Sequence, residues 1–440
     1  MKILQLCNKS PYPPNEGGSM AMYAMTRLLL QAGCDVKILA VNSPKCHVTA
    51  EETDAEFLRR TRIEWCFIDT SLKAGAALKA LLQNRSYHVE RFISKDFEQK
   101  LKGILQQESF DIIQLETIYP AVCLPVIRKY SHAKVILRAH NIEHKIWERV
   151  ATHHHGFFKK GYLRILSRQL KQFEDQLLNQ LDGITAISTV DEAYFRQHST
   201  TPCITIPYSM DISLLPGISS PKQTETAIPS AVCPANLFSL ASMNWEPNLE
   251  GIQWFLKECW PRIRANHSQL TFRIAGRHIP AQWHSEPSKG IEIVGEVPDS
   301  ATFMKENGIL IVPLLSGSGI RIKILEGMSL GKVVITTSIG AEGIDACYGK
   351  EIIVADTPDA FAEAVTHCLS HPEECRRIGM NAAAFVRTRF DEKTLGTELM
   401  RFYQTISGST TTRQDPVSGT DSSHTDNTQT DKYQTIKTLT

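Results

Sequence analysis

The chain contains, at residues 313–327, the segment Pro313-Leu314-Leu315-Ser316-Gly317-Ser318-Gly319-Ile320-Arg321-Ile322-Lys323-Ile324-Leu325-Glu326-Gly327. It follows the apolar run Ile309–Val312, which predicts a buried strand, and it leads into residues 320–330, whose apolar spacing predicts a helix. A strand, a short glycine-containing loop and a helix direct free backbone N–H groups and the positive end of a helix dipole at one point. The phosphates of a diphosphate could bind at such a point, because they are anionic and accept hydrogen bonds from N–H groups.

Two charged residues follow the loop at helical spacing. Lys323 and Glu326 are three positions apart, so they share one face of the predicted helix. A cation beside phosphate and a carboxylate that accepts ribose hydroxyls would form a nucleotide clamp. Taken alone, the loop favours this interpretation only slightly over a plain turn with two solvated charges, because glycine loops are common.

The same alternation of short apolar runs and helical patterns extends over most of the chain. It predicts strands at 2–7, 36–41, 111–115, 135–140, 183–187, 204–207, 237–240, 270–275, 291–294, 309–312, 333–336 and 352–354. Predicted helices are 19–30, 157–181, 249–264, 320–330, 358–369, 372–389 and 392–406. The pattern predicts an α/β protein of two Rossmann-like, doubly wound parallel-sheet domains facing a cleft.

The domain boundaries follow from breaks in this pattern, since 440 residues exceed what one hydrophobic core organises. We expect a first domain over 1–208, a linker over 209–235 that is rich in Pro, Ser, Thr and Gly, and a second domain over 236–390. A C-terminal helix over 391–407 follows, with a crossing back to the first domain as one option. Residues 408–440 are poor in large apolar side chains and predict a disordered tail.

Composition excludes several classes of protein. Lys and Arg number 48 against 47 for Asp and Glu, so the net charge of +1 gives no reason to expect a nucleic-acid partner. The eleven cysteines include no Cys-x-x-Cys pair, and the histidines at 153–155 are consecutive, so we expect no metal site. The chain has no apolar run of membrane-spanning length and no apolar leader after Met1, and we expect a cytoplasmic protein.

Several further segments join the glycine loop in resembling one family. They are Gly17-Gly18 after the first strand, residues 138–144 (Arg-Ala-His-Asn-Ile-Glu-His), residues 242–248 (Ser-Met-Asn-Trp-Glu-Pro-Asn), Gly276, Gly295, residues 331–334 and residues 337–344. In this combination the chain, up to about Ser407, resembles glycosyltransferase family 4, the group 1 glycosyltransferases, which have the GT-B fold. The resemblance implies transfer of a sugar from a nucleotide-sugar donor to a glycan or lipid-linked acceptor with retention of configuration. Because no Asp-x-Asp occurs, it also implies an enzyme without a metal or other cofactor.

The resemblance assigns roles to the charged residues of the loop. Glu326 matches the second glutamate of the family's Glu-x7-Glu motif, which holds the ribose, whereas the first would fall at Ser318. Relatives neutralise the diphosphate with an Arg and a Lys in the segment that here reads Ser-Met-Asn-Trp over 242–245, without a cation. We infer that Arg321 or Lys323 supplies the missing charge, and we favour Lys323 because it shares a face with Glu326.

The remaining expected site residues also come from the resemblance. His140 matches the family histidine that contacts the donor sugar, although a histidine at the end of a buried strand is often structural. Gly17 and Gly18 match the loop that approaches the donor phosphates and the acceptor. The other residues expected to bind the donor are Gly276, Gly317, Ser318, Gly319 and Ile320.

Other interpretations stay open. Residues 157–171 mix aromatic and basic side chains, which fits either a solvated helix face or a surface that rests on an anionic membrane. Another GT-B activity, such as a sugar-nucleotide epimerase, and a non-catalytic nucleotide-sugar-binding protein are the alternative functions. A nicotinamide-dependent dehydrogenase is disfavoured, because no Gly-x-Gly-x-x-Gly follows the first strand.

Overall fold

The computed structural model of the protein describes residues 1–14, 16–153, 157–210, 236–285, 290–317 and 319–408. The strands of the first domain are β1 (Lys2–Cys7), β2 (Asp35–Asn42), β3 (Glu64–Phe67), β4 (Ile112–Glu116), β5 (Lys134–Ala139), β6 (Gly183–Ala186) and β7 (Cys203–Thr205). Its helices are α1 (Gly17–Gln31), α2 (Ala55–Thr61), α3 (Ala74–Leu82), α4 (Tyr87–Glu90), α5 (Lys95–Gln107), α6 (Leu124–Tyr130), α7 (Glu143–His153), α8 (Phe157–Leu178) and α9 (Thr189–His198), with a 3₁₀ turn at Tyr119–Cys123.

These seven strands form one parallel sheet in the order β3-β2-β1-β4-β5-β6-β7. The central strands are buried on both faces, because helices cover the sheet on both sides. The order reverses between β1 and β4, where Cys7 pairs with Glu116. Ligands of such folds bind beyond the carboxyl ends of the strands at this reversal.

The second domain repeats the plan. Its strands are β8 (Asn236–Leu240), β9 (Thr271–Ala275), β10 (Ile291–Gly295), β11 (Ile309–Val312), β12 (Val334–Thr336) and β13 (Ile353–Val354). Its helices are α10 (Glu246–Trp254), α11 (Trp260–Asn266), α12 (Gln282–Ser285), α13 (Ser300–Glu306), α14 (Ile322–Ser329), α15 (Ser338–Ala341), α16 (Pro358–Ser370) and α17 (Pro372–Arg389). The parallel order is β10-β9-β8-β11-β12-β13, so the glycine loop after β11 opens at the reversal between β8 and β11. The predicted fold of two Rossmann-like domains is confirmed.

The last described helix, α18 (Glu392–Ser407), follows the second domain in sequence but packs on the first. Leu395, Leu399 and Tyr403 are buried in the same core cluster as Leu28 of α1. Arg27 of α1 also forms an ion pair of 2.6 Å with Glu392, the first residue of the helix. The core of the first domain is therefore completed by a segment from the other end of the described chain.

The structure corrects several predicted boundaries. Helix α1 begins at Gly17, so Gly17 and Gly18 form its first turn and not a loop. The predicted helix over 249–264 is interrupted by a π turn at Phe255–Cys259, which ends just before Pro261, a residue that lacks the N–H donor of a regular helix. Of the predicted linker and tail, only Ser209, Met210 and Gly408 lie within the described residues.

Candidate active site

The glycine loop has a backbone that other residues adopt only with strain. Gly317 and Gly319 have φ angles of +112° and +81°. A Cβ on Gly317 would lie 3.0 Å from the Trp245 ring, and one on Gly319 would lie 2.7 Å from Oδ1 of Asn141. Trp245 follows β8 and Asn141 comes from the first domain, so the loop is enclosed from both sides of the cleft. Ser318, which stands between the two glycines, lies outside the described residues.

The Arg321 side chain contacts both the glycine loop and the Trp245 ring that packs on it. Its side chain is buried, its guanidinium lies 5.5 Å from the centre of the Trp245 ring, and it donates a hydrogen bond to the Gly319 carbonyl. Burial lowers the pKa of Arg321 to about 10, and Glu342 opposes that shift. Its contacts fix the shape of the loop.

Lys323 is hydrogen-bonded to the first turn of α10, next to residues 242–245. Its Nζ donates to Oδ1 of Asn248 at 2.7 Å, and Nδ2 of Asn248 donates to the Ser242 carbonyl at 2.8 Å. Burial, reinforced by the charge of Arg321, lowers the pKa of Lys323 to about 7. An ammonium in such surroundings gains strongly from an anion that restores its charge.

Glu326 lies one helical turn beyond Lys323 and is partly buried. Burial raises the pKa of its carboxyl group to about 7. Burial and, to a lesser extent, the charge of Glu326 raise the pKa of Tyr208. The group can accept hydrogen bonds from two hydroxyls once it is ionised.

His140 lies one residue past the end of β5 and is almost fully buried. Its Nε2 is 2.8 Å from Oε2 of Glu116, the last residue of the neighbouring strand β4. Oε1 of Glu116 accepts hydrogen bonds from the side-chain amides of Gln5, at 3.0 Å, and Gln114. The imidazole is thus held by a carboxylate that does not itself reach the surface.

The first turn of α1 is open to a ligand. The N-cap residue Glu16 makes no side-chain hydrogen bond to the helix and instead pairs with Lys9 at 3.0 Å. The amides of Gly17 and Gly18 therefore carry the positive end of the helix dipole. The Lys9 side chain lies against Gly18, because a Cβ there would approach its Cε to 2.9 Å.

Two of the predicted donor-binding residues have structural explanations. Gly276 has a φ of +137°, and a Cβ on it would overlap the Ala241 carbonyl oxygen, so a glycine is needed for close packing of the segments that follow β8 and β9. Ile320 is partly buried and packs against the core of the second domain. Neither residue has a polar side chain that could bind the donor.

Contacts across the cleft bring the two domains together beside the glycine loop. Arg149 of α7 makes hydrogen bonds of 2.9 and 2.7 Å with the Glu342 carboxylate and one of 2.9 Å with the Gly317 carbonyl. Thr189 donates to Asp345 at 2.9 Å. A cavity of 840 Å³ opens here, lined by Arg149 and Val190 from the first domain and by residues of 315–317 and 338–348 from the second.

Several residues of this site were not predicted from the sequence. Asn141, Trp245 and Asn248 lie in segments that carried the family resemblance, yet they received no role. Lys9 was also missed, although a lysine two positions after a first strand is a signal that sequence alone provides. Among the residues that the structure describes, no group of His, Cys, Asp and Glu is arranged to hold a metal ion.

Two family models match the chain. The model described as Glycosyltransferase Family 4 matches residues 16–213, and the model described as Glycosyl transferases group 1 matches residues 234–371. The chain belongs to the group 1 glycosyltransferases of family 4. A relative from Klebsiella pneumoniae, named an uncharacterized 44.6 kDa protein in the cps region, is 22% identical over 402 residues, which make up 89% of this chain and 97% of the relative.

Solved structures of low sequence identity share the fold of this glycosyltransferase. Anabaena HepE in complex with UDP and glucose has a TM-score of 0.60 and 14% identity, with 92% of this chain and 100% of that one covered. Sucrose-phosphate synthase from Thermosynechococcus elongatus has a TM-score of 0.66 and 12% identity, with 93% and 100% covered. The two parallel-sheet domains are those of the GT-B glycosyltransferases. Over its described residues, this glycosyltransferase has no helix that is long and apolar enough to cross a membrane.

Proposed function

We propose that this glycosyltransferase transfers a sugar from a nucleotide-sugar donor to a glycan or lipid-linked acceptor, with retention of configuration and without a metal ion. The observation that carries the proposal is the hydrogen bond from Lys323 to Asn248, whose amide in turn donates to the Ser242 carbonyl, at the start of the segment where relatives are expected to hold their diphosphate cations. The first turn of α1 and Lys9 supply positive potential from the opposite domain.

The residues around the cleft fit the demands of the leaving group. As the bond between the sugar and the diphosphate breaks, negative charge grows on the phosphate oxygens. Lys323 and the amides at the start of α1 would stabilise this charge, and water exclusion between the domains would strengthen them. Glu326 would hold the ribose and His140 would contact the transferred sugar, whose acceptor would attack from the face that the diphosphate leaves.

The relatives support the choice of donor and pathway to test first. HepE has been solved with UDP and with UDP-glucose, and the Klebsiella relative is placed in a cps region. UDP-glucose is therefore the first donor to try, and a capsule-type polysaccharide is the first class of acceptor.

The test is a turnover assay with a panel of nucleotide sugars, read by release of nucleoside diphosphate and by proton NMR of the sugar product. We expect turnover of one donor, a product with the donor's anomeric configuration, and full activity in excess EDTA. Donor binding with neither sugar transfer nor donor hydrolysis would support the non-catalytic alternative. An inverted product would contradict retention, and activity lost in EDTA and restored by manganese would contradict metal independence.

We also propose that the enzyme contacts the membrane through a surface formed by α3 and α8, here called the α3–α8 face. Leu72 precedes α3 and is 78% exposed, and Leu78 and Leu82 within the helix are 57% and 80% exposed. Tyr162 and Ile165 of α8 are exposed as well. Isolated exposed apolar residues are common, but leucines at this spacing on one short helix form a patch.

Basic residues accompany this patch. Lys159, Arg164 and Arg168 are exposed on α8. The two helices are held together where Asn84, just after α3, donates to Gln172 of α8 at 3.1 Å. Apolar side chains beside cations are typical of surfaces that rest on anionic lipid. A cytoplasmic enzyme at the inner face of a membrane would fit a lipid-linked acceptor.

A further inference from the structure

A chain of buried side-chain hydrogen bonds leads from α18 to His140. The Tyr403 hydroxyl donates to Oε1 of Gln114, and Nε2 of Gln114 donates to Oε1 of Glu116. The other oxygen of Glu116, Oε2, lies 2.8 Å from Nε2 of His140. Tyr403, Gln114 and Glu116 are completely buried. The first of these residues lies 289 positions from the second, so only the fold brings them together.

The direction of each hydrogen bond is determined by its neighbours. The oxygen of the Gln114 amide accepts from Tyr403, and the oxygen of the Gln5 amide accepts from Thr26 at 2.8 Å. In this arrangement both amides present their NH₂ groups to Glu116. The buried guanidinium of Arg138 favours the ionised form of the Glu116 carboxyl group, which accepts hydrogen bonds at both oxygens. The hydrogen between Glu116 and His140 then resides on Nε2 of the imidazole.

The buried charge of Glu116 has an electrostatic partner. Arg138, on the neighbouring strand β5, is fully buried and donates to the carbonyls of Ile206 and Pro207. Burial lowers the pKa of Arg138, and the charge of Glu116 opposes this shift. A buried network of this kind gives little net stability compared with apolar side chains of the same volume. Its value lies in the precise orientation of the group at its end, which is His140.

We propose that Glu116 is a positioning residue that holds His140 with its hydrogen on Nε2, and that Tyr403 extends this support to the C-terminal helix. With Nε2 occupied, the neutral ring has Nδ1 as its acceptor for a sugar hydroxyl. The proposal rests on the proposed function in taking His140 as the residue that contacts the transferred sugar. It adds that α18, the last helix among the described residues, supports a site of the first domain although it follows the second domain in sequence.

The kinetic test compares single and double variants. Glu116→Gln should lower kcat about tenfold to a hundredfold, the usual range for loss of a buried charged hydrogen bond, with the donor KM changed less than about twofold. In the His140→Ala background the same substitution should lower kcat no further, because Glu116 acts through His140. Equal losses in both backgrounds would overturn the proposal.

Tyr403→Phe removes only the far oxygen of the network and should lower kcat about two- to fivefold, since a neutral hydrogen bond contributes less than a charged one. Tyr23→Phe is the matched control, because Tyr23 packs against the same core cluster and takes no part in the network. Wild-type turnover in Tyr403→Phe, or an equal loss in both variants, would contradict a role for α18. Tyr403→Phe also keeps the proposal testable if Glu116→Gln fails to fold.

A readout that needs no turnover separates this proposal from the proposed function. Nitrogen-15 NMR of labelled histidine distinguishes a protonated ring nitrogen from an unprotonated one, and the His140 signals are those that disappear in His140→Ala. Wild type should carry the hydrogen on Nε2, whereas Glu116→Gln should show a mixture of tautomers. An unchanged tautomer in Glu116→Gln would overturn the positioning role, even if no sugar transfer were ever found.

Discussion

At the scale of single residues, Lys323 is the most informative side chain to change. If it neutralises the diphosphate, Lys323→Ala should weaken the binding of free nucleoside diphosphate about tenfold or more, because charge-assisted hydrogen bonds are roughly twice as strong as neutral ones. Lys323→Arg should recover only part of the affinity, since a planar guanidinium places its donors differently. Isothermal titration calorimetry measures both.

The matched control is Lys257→Ala, because Lys257 lies in the same domain and its side chain is 82% exposed. It should bind like wild type. Wild-type affinity in Lys323→Ala would instead transfer the role to Arg321 or to the loop amides alone.

The pH dependence of donor binding tests Lys323 and Glu326 together. With a pKa lowered to about 7, free Lys323 loses its charge as the pH rises through 7, so affinity should fall on the alkaline side. With a pKa raised to about 7, Glu326 becomes neutral as the pH falls through 7 and no longer accepts from both ribose hydroxyls, so affinity should fall on the acid side. The expected profile is bell-shaped with a maximum near 7.

The measurement should use an intact nucleotide sugar, because its diphosphate lacks the terminal phosphate that titrates in this range. Lys323→Met should remove the alkaline limb and Glu326→Gln the acid limb. A flat wild-type profile between pH 6 and 8, or limbs that survive both substitutions, would contradict the assignment.

The sequence could predict the roles of these residues only where the interacting residues are close together along the chain. Lys323 and Glu326 are three positions apart, so helical spacing relates them. Asn248 lies 75 positions from Lys323, and Tyr403 lies 289 from Gln114. No local pattern links residues across such distances, because each contact exists only after distant helices and strands have packed together.

At the scale of elements, the α3–α8 face predicts a measurable membrane affinity. The enzyme should float with vesicles that contain anionic phosphatidylglycerol and much less with neutral phosphatidylcholine vesicles, and salt should weaken the binding. Leu78→Ser combined with Leu82→Ser should lower the vesicle partition coefficient about a hundredfold or more, because burying each leucine contributes about 1.5–3 kcal/mol of apolar transfer energy.

The control for these substitutions is Met380→Ser, because Met380 is 48% exposed on α17 of the other domain. Its flotation should equal that of wild type. Equal flotation of the leucine variant, or equal binding to neutral and anionic vesicles, would show that this face is an ordinary solvated surface.

The alternation of elements was predictable, whereas their exact ends were not. Fully apolar strands such as β11 stand out in sequence, and the loop that follows β11 is placed correctly. Between β2 and β4, periodicity does not reveal β3, a short edge strand, or α3, which is largely exposed. Helix α5 in the same region was missed although its buried residues Phe97, Leu101 and Ile104 have helical spacing. The start of α1 was also misplaced, since glycines are usually a sign of loops and not of a first helical turn.

At the scale of the whole molecule, Arg149 joins the two domains at the glycine loop. Arg149→Ala should weaken donor binding about two- to fivefold, because partly exposed ion pairs contribute at most about 1 kcal/mol. It should also increase the radius of gyration of the free enzyme in X-ray scattering. Arg262→Ala is the control, since its ion pair with Asp359 lies within the second domain. Identical affinity and scattering for both variants would remove Arg149 from domain closure.

The C-terminal boundary of the folded enzyme is a second prediction at this scale. A chain ending at Gly408 should keep full activity and melting temperature, because the removed residues 409–440 are poor in core-forming side chains. A chain ending at Asp391 should lose several kcal/mol of stability or fail to fold, since it removes the buried Leu395, Leu399 and Tyr403. Thermal unfolding and turnover of the two chains measure this. A marked loss in the longer chain would show that the tail contributes.

The return of α18 to the first domain also determines the order of events during synthesis. The strands of the first sheet leave the ribosome early, but the helix that covers α1 follows roughly 190 residues later, which takes about 10–40 s at ordinary translation rates. During that interval Leu28 and Gln114 lack their partners, so the nascent domain exposes apolar surface. We therefore expect this enzyme to depend on chaperones that hold growing chains, and to tolerate poorly any rearrangement of its gene that separates α18 from the first two hundred residues.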